Sequence, residues 1–117
     1  MIRVLVVDDS VSFLTAATEV VLAADGFELA GVAQSGKEGV ELARISRPDF
    51  ALIDFNMPGM NGEDTADRLA TESPETVTVV VTATPDPTGR SNGLFDKRKL
   101  SPAALTEVWK RAQTSPS

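Results

Sequence analysis

Continuous apolar runs alternate with helical patterns along this chain. Residues 2–7 are apolar except at Arg3, which is typical of a strand buried on both faces of a parallel sheet. From Ser10 onward, apolar residues recur at intervals of three and four as far as Ala24. This predicts a helix with Ser10 as its N-cap and Gly26 as its terminator. The chain therefore begins with a strand, an acidic turn and a helix.

The same alternation continues towards the C-terminus. Further strands are predicted at residues 27–33, 50–53, 76–81 and 94–96. Further helices are predicted from the Ser35–Glu38 capping box to about Ile45, from Glu63 to Glu72 with Ala66, Leu69 and Ala70 facing inward, and from Pro102 behind the N-cap Ser101. Between Thr84 and Gly93, two prolines and two glycines predict a loop without a full helix.

Strands that alternate with helices in this way predict an α/β fold with a mostly parallel sheet. The periodicity does not fix the strand order. With 117 residues, the chain is expected to form one domain over residues 1–117, with a frayed tail from about residue 113. No apolar run approaches the roughly 20 residues of a membrane span, and Met1 leads directly into a strand. We therefore expect a cytoplasmic protein.

Composition excludes several kinds of site. The chain has no cysteine, which rules out a disulfide scaffold, a thiolate metal site and a cysteine nucleophile. It has no histidine, the commonest general base and zinc ligand. The net charge of −6 argues against DNA binding through the overall field. The sequence also lacks both common glycine-rich loops for nucleotide phosphates.

Polar side chains stand at the predicted carboxyl ends of four strands, where α/β sheets gather their ligands. These residues are Asp8, Asp9, Asp54, Thr82 and Lys97. Clustered carboxylates repel one another, and a hard cation relieves that repulsion; oxygen ligands without His or Cys favour Mg²⁺. Asp54 would then be a nucleophile of the aspartyl-phosphate kind. Thr82 and Lys97 would supply a hydroxyl donor and a fixed positive charge for a phosphoryl group.

A purely structural interpretation stands beside this one. An Asp-Asp pair after a strand also suits a solvated turn before a helix N-terminus, where negative charge is favourable. Thr82 alone is an ordinary residue for a strand end, and the basic residues 97–99 resemble a solvated surface. The coincidence of all four strand ends favours the functional interpretation.

Four motifs in order carry a resemblance to a known family. They are VLVVDDS at residues 4–10, DFNMPGMNG at 54–62, VTA at 81–83, and Lys97. Over essentially its full length, the chain resembles the receiver domain of bacterial two-component response regulators. The resemblance implies a flavodoxin-like, doubly wound sheet of five parallel strands in the order 2-1-3-4-5.

The resemblance also implies a role for each matched residue. Asp54 would accept a phosphoryl group from a phosphohistidine on a sensor histidine kinase or a histidine phosphotransfer protein. Asp9 and Asp54 would ligate Mg²⁺ together with the backbone carbonyl of Asn56, and Asp8 would act through water. Thr82 would be the switching hydroxyl, and Lys97 the cation that binds the phosphoryl group. A downstream effector protein or domain would read the result, with a homodimer as one possible form.

The sequence departs from the family pattern in three places. Leu94 occupies a position that is usually aromatic, and Arg98 replaces the proline that normally follows the lysine. Only fourteen residues separate Thr82 from Lys97, which predicts a short or absent fourth helix and a remodelled signalling surface. Asn56 and Thr84 are hypothesised to flank the phosphoryl group and to tune its hydrolysis.

Two other functions remain open at this point. The departures at Leu94 and Arg98 would also suit a pseudo-receiver that binds partners without phosphorylation. A small Mg²⁺-dependent phosphohydrolase is a further alternative, although the chain offers no cap domain. In the leading interpretation the protein is not an enzyme for an external metabolite, because it would catalyse only its own phosphorylation and dephosphorylation.

Overall fold

The computed structural model describes residues 1–83 and 94–114. Its strands are β1 (Ile2–Val7), β2 (Phe27–Ala33), β3 (Phe50–Asp54), β4 (Val77–Thr82) and β5 (Leu94–Asp96). Its α-helices are α1 (Val11–Ala23), α2 (Gly36–Ser46), α3 (Gly62–Glu72) and α4 (Pro102–Thr114), and a short 3-10 turn spans Lys97–Lys99. The loop predicted between Thr84 and Gly93, the expected loss of a helix there, and Thr84 itself lie outside the described residues.

The five strands form one parallel sheet in the order β2-β1-β3-β4-β5. This confirms the flavodoxin-like order implied by the resemblance. From β1 the chain adds β2 on one side and then returns to add β3 on the other. The carboxyl ends of β1 and β3 therefore flank the topological switch point, where sheets of this class bind ligands.

Helices cover both faces of the sheet. On one face, α1 and α4 pack against alternate residues of the central strands, including Val4, Val6 and Leu52. On the other face, α2 and α3 pack against the intervening residues, including Leu5 and Val7. Because both faces are covered, the last four residues of β1 and all five residues of β3 are buried, as their apolar sequences predict.

The predicted helix caps are present. Ser10 Oγ accepts a hydrogen bond from the Phe13 amide at 3.3 Å, and Ser101 Oγ accepts one from the Ala104 amide at 3.0 Å. Ser35 Oγ accepts a hydrogen bond from the Glu38 amide at 3.1 Å. These caps satisfy amide groups that have no partner within the helix and so fix where each helix begins.

Two details of the prediction were wrong. Strand β4 begins at Val77 and not at Thr76, whose hydroxyl donates a hydrogen bond to the Pro48 carbonyl at 2.7 Å. On α3, Ala70 is exposed, and Thr65 is buried in its place. The Thr65 hydroxyl can be buried because it donates a 2.8 Å hydrogen bond to the Asn61 carbonyl.

Within the described part of the chain, no helix is both long enough and apolar enough to cross a bilayer. Helix α4 includes residues 113 and 114, and residues 115–117 of the expected frayed tail lie outside the described residues.

Candidate functional site

Three carboxylates converge where β1 and β3 end. Val7 and Ile53 are paired neighbours in the sheet, so the residues that follow them emerge at the same edge. Asp8 is fully buried, Asp54 is 5% exposed, and Asp9 is exposed. One carboxylate oxygen from each of the three lies within 4.8 Å of the others. The structure thus brings together the acidic residues that the sequence singled out.

The two oxygens of Asp8 have different surroundings. Oδ1 accepts a 2.8 Å hydrogen bond from the Ser10 amide, which ties the carboxylate to the start of α1. Oδ2 forms an ion pair with Lys97 Nζ at 2.5 Å. Oδ2 is therefore a buried oxygen whose charge is already paired with one cation.

Lys97 reaches the same cluster from the carboxyl end of β5. Its Nζ lies 3.3 Å from Asp54 Oδ1 as well as 2.5 Å from Asp8 Oδ2, and its side chain is only 13% exposed. Burial disfavours the charged form of Lys97, but the contacts with Asp8 and Asp54 outweigh that effect and raise its pKa. The ammonium is therefore a fixed positive charge at neutral pH.

At Asp54, unlike at Lys97, the effect of burial outweighs the effect of the opposite charge beside it. Its burial, followed by the charge of Asp8, raises the pKa of its carboxyl group above the ordinary value. The charge and hydrogen bond of Lys97 and a backbone hydrogen bond at Asn56 counteract this only in part. Two buried carboxylates thus share one ammonium, and the site carries an excess of negative charge that a second cation would relieve.

Thr82 occupies the end of the next strand. It is buried and pairs with Asp96, while the residue before it, Val81, pairs with Asp54. The Phe55 amide also donates a 2.8 Å hydrogen bond to the Val81 carbonyl. This bond holds the carboxyl ends of β3 and β4 side by side. Thr82 therefore lies at the same edge of the sheet as the acidic cluster.

The loop after Asp54 is held close to the site. Asn56 is exposed, whereas Met57 inserts into the core and anchors the loop. At the far end of the loop, the Gly62 amide donates a 3.0 Å hydrogen bond to the Phe55 carbonyl. A Cβ atom on Gly62 would lie 2.3 Å from the backbone oxygen of Asp54. Only glycine allows α3 to start this close to the peptide of Asp54.

The turn that carries Lys97 is stabilised by its neighbours. Asp96 Oδ1 accepts a 2.9 Å hydrogen bond from the Arg98 amide, and its carboxylate also pairs with the Arg98 guanidinium at 3.0 Å. These contacts lower the pKa of Asp96. Arg98, which departs from the family pattern, therefore has a local function in this turn.

Sequence reasoning missed two residues beside the site. Asp96 was assigned only to a strand, although its carboxylate stabilises the turn that carries Lys97. Phe13 was assigned only to the apolar face of a helix, although Lys97 Nζ lies 4.5 Å from the centroid of its ring. The available signal was that Phe13 falls in the first helical turn after the acidic pair. Of the flanking residues hypothesised to tune hydrolysis, Asn56 is at the site, and Thr84 lies outside the described residues.

Comparisons with known proteins agree with the fold. The family model for the response regulator receiver domain matches residues 4–94. Response regulator GacA of Pseudomonas viridiflava is 40% identical over 82 residues, which is 70% of this chain and 38% of GacA. The nitrate/nitrite response regulator NarL of Escherichia coli is 39% identical over 70 residues, which is 60% of this chain and 32% of NarL. The matched part of the chain thus spans about a third of the length of these relatives.

Solved structures show the same fold. The response regulator domain of Thermotoga maritima CheB superimposes with a TM-score of 0.81 at 23% identity and covers 99% of both chains. The chemotaxis protein CheY4 of Vibrio cholerae superimposes with a TM-score of 0.76 at 26% identity, covering 96% of this chain and 98% of CheY4.

Proposed function

Because the chain belongs to the response regulator receiver family, we propose that Asp54 is its phosphoacceptor. The donor is a phosphohistidine of a partner sensor histidine kinase or histidine phosphotransfer protein. One observation carries this proposal. Asp54 lies in a cluster with the buried carboxylate of Asp8, the exposed carboxylate of Asp9 and the ammonium of Lys97, which is 3.3 Å from its Oδ1.

The residues present fit a bound Mg²⁺. Asp9 and Asp54 would hold it with the backbone carbonyl of Asn56, and Asp8 would act through water. Two features support this assignment: Asp8, Asp9 and Asp54 each bring a carboxylate oxygen within 4.8 Å of the others, and the pKa of Asp54 is raised. When bound, Mg²⁺ would neutralise charge shared by the carboxylates and the phosphate oxygens.

The chemistry assigns a distinct task to each side chain. A carboxylate oxygen of Asp54 attacks phosphorus, a P–O bond forms, and the P–N bond of the donor breaks with its electron pair returning to the imidazole. Lys97 places a positive charge where the equatorial phosphate oxygens gather. Thr82, at the end of β4, supplies a hydroxyl group that can donate to one of those oxygens.

Phosphorylation would switch a protein-interaction surface through the charge added at Asp54. A downstream effector protein or domain would read that surface, and residues 1–117 would act as one receiver unit in the cytoplasm. The chain would catalyse only its own phosphorylation and dephosphorylation. The shared placement of acids and lysine favours this function over a phosphate-independent receiver or a phosphohydrolase.

The test is incubation of the purified chain with acetyl phosphate and Mg²⁺, followed by intact-mass measurement. We expect a gain of one phosphoryl group that requires Mg²⁺ and is abolished by Asp54→Asn. Asp67→Asn, an equal change at an exposed position of α3, serves as the matched control and should leave the gain intact. An unmodified wild-type chain, or equal labelling of Asp54→Asn, would refute the proposal.

The same assay tests the hypothesis about Asn56 and Thr84. Once the donor is removed, exchange of either residue should change the rate at which the phosphoryl group is lost. Unchanged hydrolysis in either variant would contradict the idea that the two residues flank the phosphoryl group.

A further inference from the structure

Lys97 has an aromatic partner in addition to its two carboxylates. Its Nζ lies 4.5 Å from the centroid of the Phe13 ring, within the range of a cation–π interaction. The lysine side chain is largely buried, so water screens this contact less than it would on an open surface. The ring therefore attracts the ammonium and also takes up space beside it.

Phe13 is placed by the same turn that places the acidic pair. The Ser10 amide donates to Asp8 Oδ1 at 2.8 Å, and the Ser10 hydroxyl accepts from the Phe13 amide at 3.3 Å. Carboxylate, cap and ring thus form one connected unit at the start of α1. The hydrogen bonds that place Phe13 relative to Asp8 do not involve the lysine.

The lysine itself has weaker backbone support. It follows a three-residue edge strand and belongs to a 3-10 turn in which no residue is buried. Its four-carbon side chain must lose considerable rotamer freedom to hold the ammonium at the site. Asp8 and Asp54 cannot provide a constant restraint, because they are also the groups that would meet Mg²⁺ and the phosphoryl group. The Phe13 ring is uncharged and is not among the groups that would meet Mg²⁺ or the phosphoryl group.

Building on the proposed function, we propose that Phe13 is a positioning residue for Lys97. Its ring attracts the ammonium through its face and needs none of the three N–H groups in return. Those N–H groups stay available for the carboxylate and phosphate oxygens. Phe13 does not touch the phosphoryl group; it acts by holding the side chain that does.

A core role for Phe13 must be separated from this one, since the ring also packs against the cluster beneath α1. Two substitutions make the separation. Phe13→Leu keeps an apolar side chain and removes the aromatic face, whereas Phe13→Tyr keeps the face. Val20→Ala, at another partly buried position of α1 in the same cluster, controls for general loss of packing.

The first measurement is the rate of phosphorylation by acetyl phosphate at saturating Mg²⁺. We expect Phe13→Leu to slow it about three- to tenfold and Phe13→Tyr to restore it. Val20→Ala should destabilise the fold without slowing phosphorylation. In a Lys97→Met background, Phe13→Leu should have no additional effect, because the residue it positions is gone.

The second measurement does not depend on phosphorylation. The ring should shift the NMR signals of the Lys97 ε-methylene protons upfield, and Phe13→Leu should remove that shift. A wild-type rate in Phe13→Leu, or a loss that persists in the Lys97→Met background, would overturn this inference alone. If the wild-type chain stayed unphosphorylated while the ring shift was intact, the proposed function would be overturned instead. The contact between Phe13 and Lys97 would then exist but would have no role in phosphorylation.

Discussion

The two charged sides of the site are held in different ways. The acidic side follows β1 and β3, whose last four residues before the carboxylates are at most 1% exposed in each strand. The lysine side follows β5, an edge strand of three residues, and a short 3-10 turn. The acids are therefore positioned by the hydrophobic core, whereas the lysine is positioned by contacts between side chains.

This difference explains where the sequence departs from the family pattern. The motifs around Asp8 and Asp54 match it closely, because a change there would disturb the central strands. The departures at Leu94 and Arg98 lie on the lysine side. There Asp96 caps the turn through the Arg98 amide, and Phe13 contacts the ammonium. Local side-chain contacts can hold one long side chain in place without the usual proline.

The largest effect on the acidic side should come from Gly62→Ala. The new Cβ would lie 2.3 Å from the Asp54 carbonyl oxygen, so the backbone must move at Asp54 itself. We expect a loss of about 1–3 kcal/mol in the free energy of unfolding and weaker Mg²⁺ binding. Urea unfolding and Mg²⁺ titration measure the two effects.

Gly31→Ala is the matched control for that prediction. A Cβ at Gly31 meets its nearest side-chain atom at 3.7 Å, an ordinary contact. Its stability should change by less than about 0.5 kcal/mol and its Mg²⁺ affinity should stay the same. If both glycine variants behaved alike, the idea that the core fixes Asp54 through its backbone would be wrong.

A smaller effect should distinguish two helix caps. Ser10→Ala and Ser101→Ala each remove a cap from a 13-residue helix, and each should cost about 1 kcal/mol of stability. Only Ser10 connects Asp8 to Phe13, so only its loss should also slow phosphorylation. Thermal unfolding and the acetyl phosphate assay, run on both variants, test this. Equal rates in the two variants would contradict the proposed link between the cap and the site.

Most of the fold and the acidic side of the site could be predicted from the sequence. Strands β1 and β3 are continuous apolar runs that end in aspartate, and that pattern has few other structural solutions. Phe13 could not be assigned in this way, because an apolar residue at helical spacing looks the same whether it faces the core or a lysine. The predicted start of β4 at Thr76 was one residue too early. The β propensity of threonine does not reveal that the Thr76 hydroxyl donates a hydrogen bond to the Pro48 carbonyl.

The smallest predicted effect concerns the ionisation of Asp54, which responds to charges on both the acidic side and the lysine side of the site. Burial and the charge of Asp8 raise the folded-state pKa of Asp54 above its ordinary value of 3.8. Between pH 3.8 and the raised folded-state pKa, the folded state binds more protons than the unfolded state. The free energy of unfolding therefore falls as the pH rises through this range. Asp54→Asn cannot ionise and should lack this part of the pH dependence.

Without Mg²⁺, Asp54→Asn should therefore match the wild-type melting temperature below pH 3.8 and exceed it at neutral pH. Added Mg²⁺ should raise the melting temperature of the wild type more than that of the variant, because the cation relieves a repulsion that only the wild type retains. Thermal unfolding at several pH values, with and without Mg²⁺, measures both differences. Parallel pH profiles for the two chains would mean that Lys97 alone already balances the carboxylates, and that the lysine side dominates the electrostatics of the site.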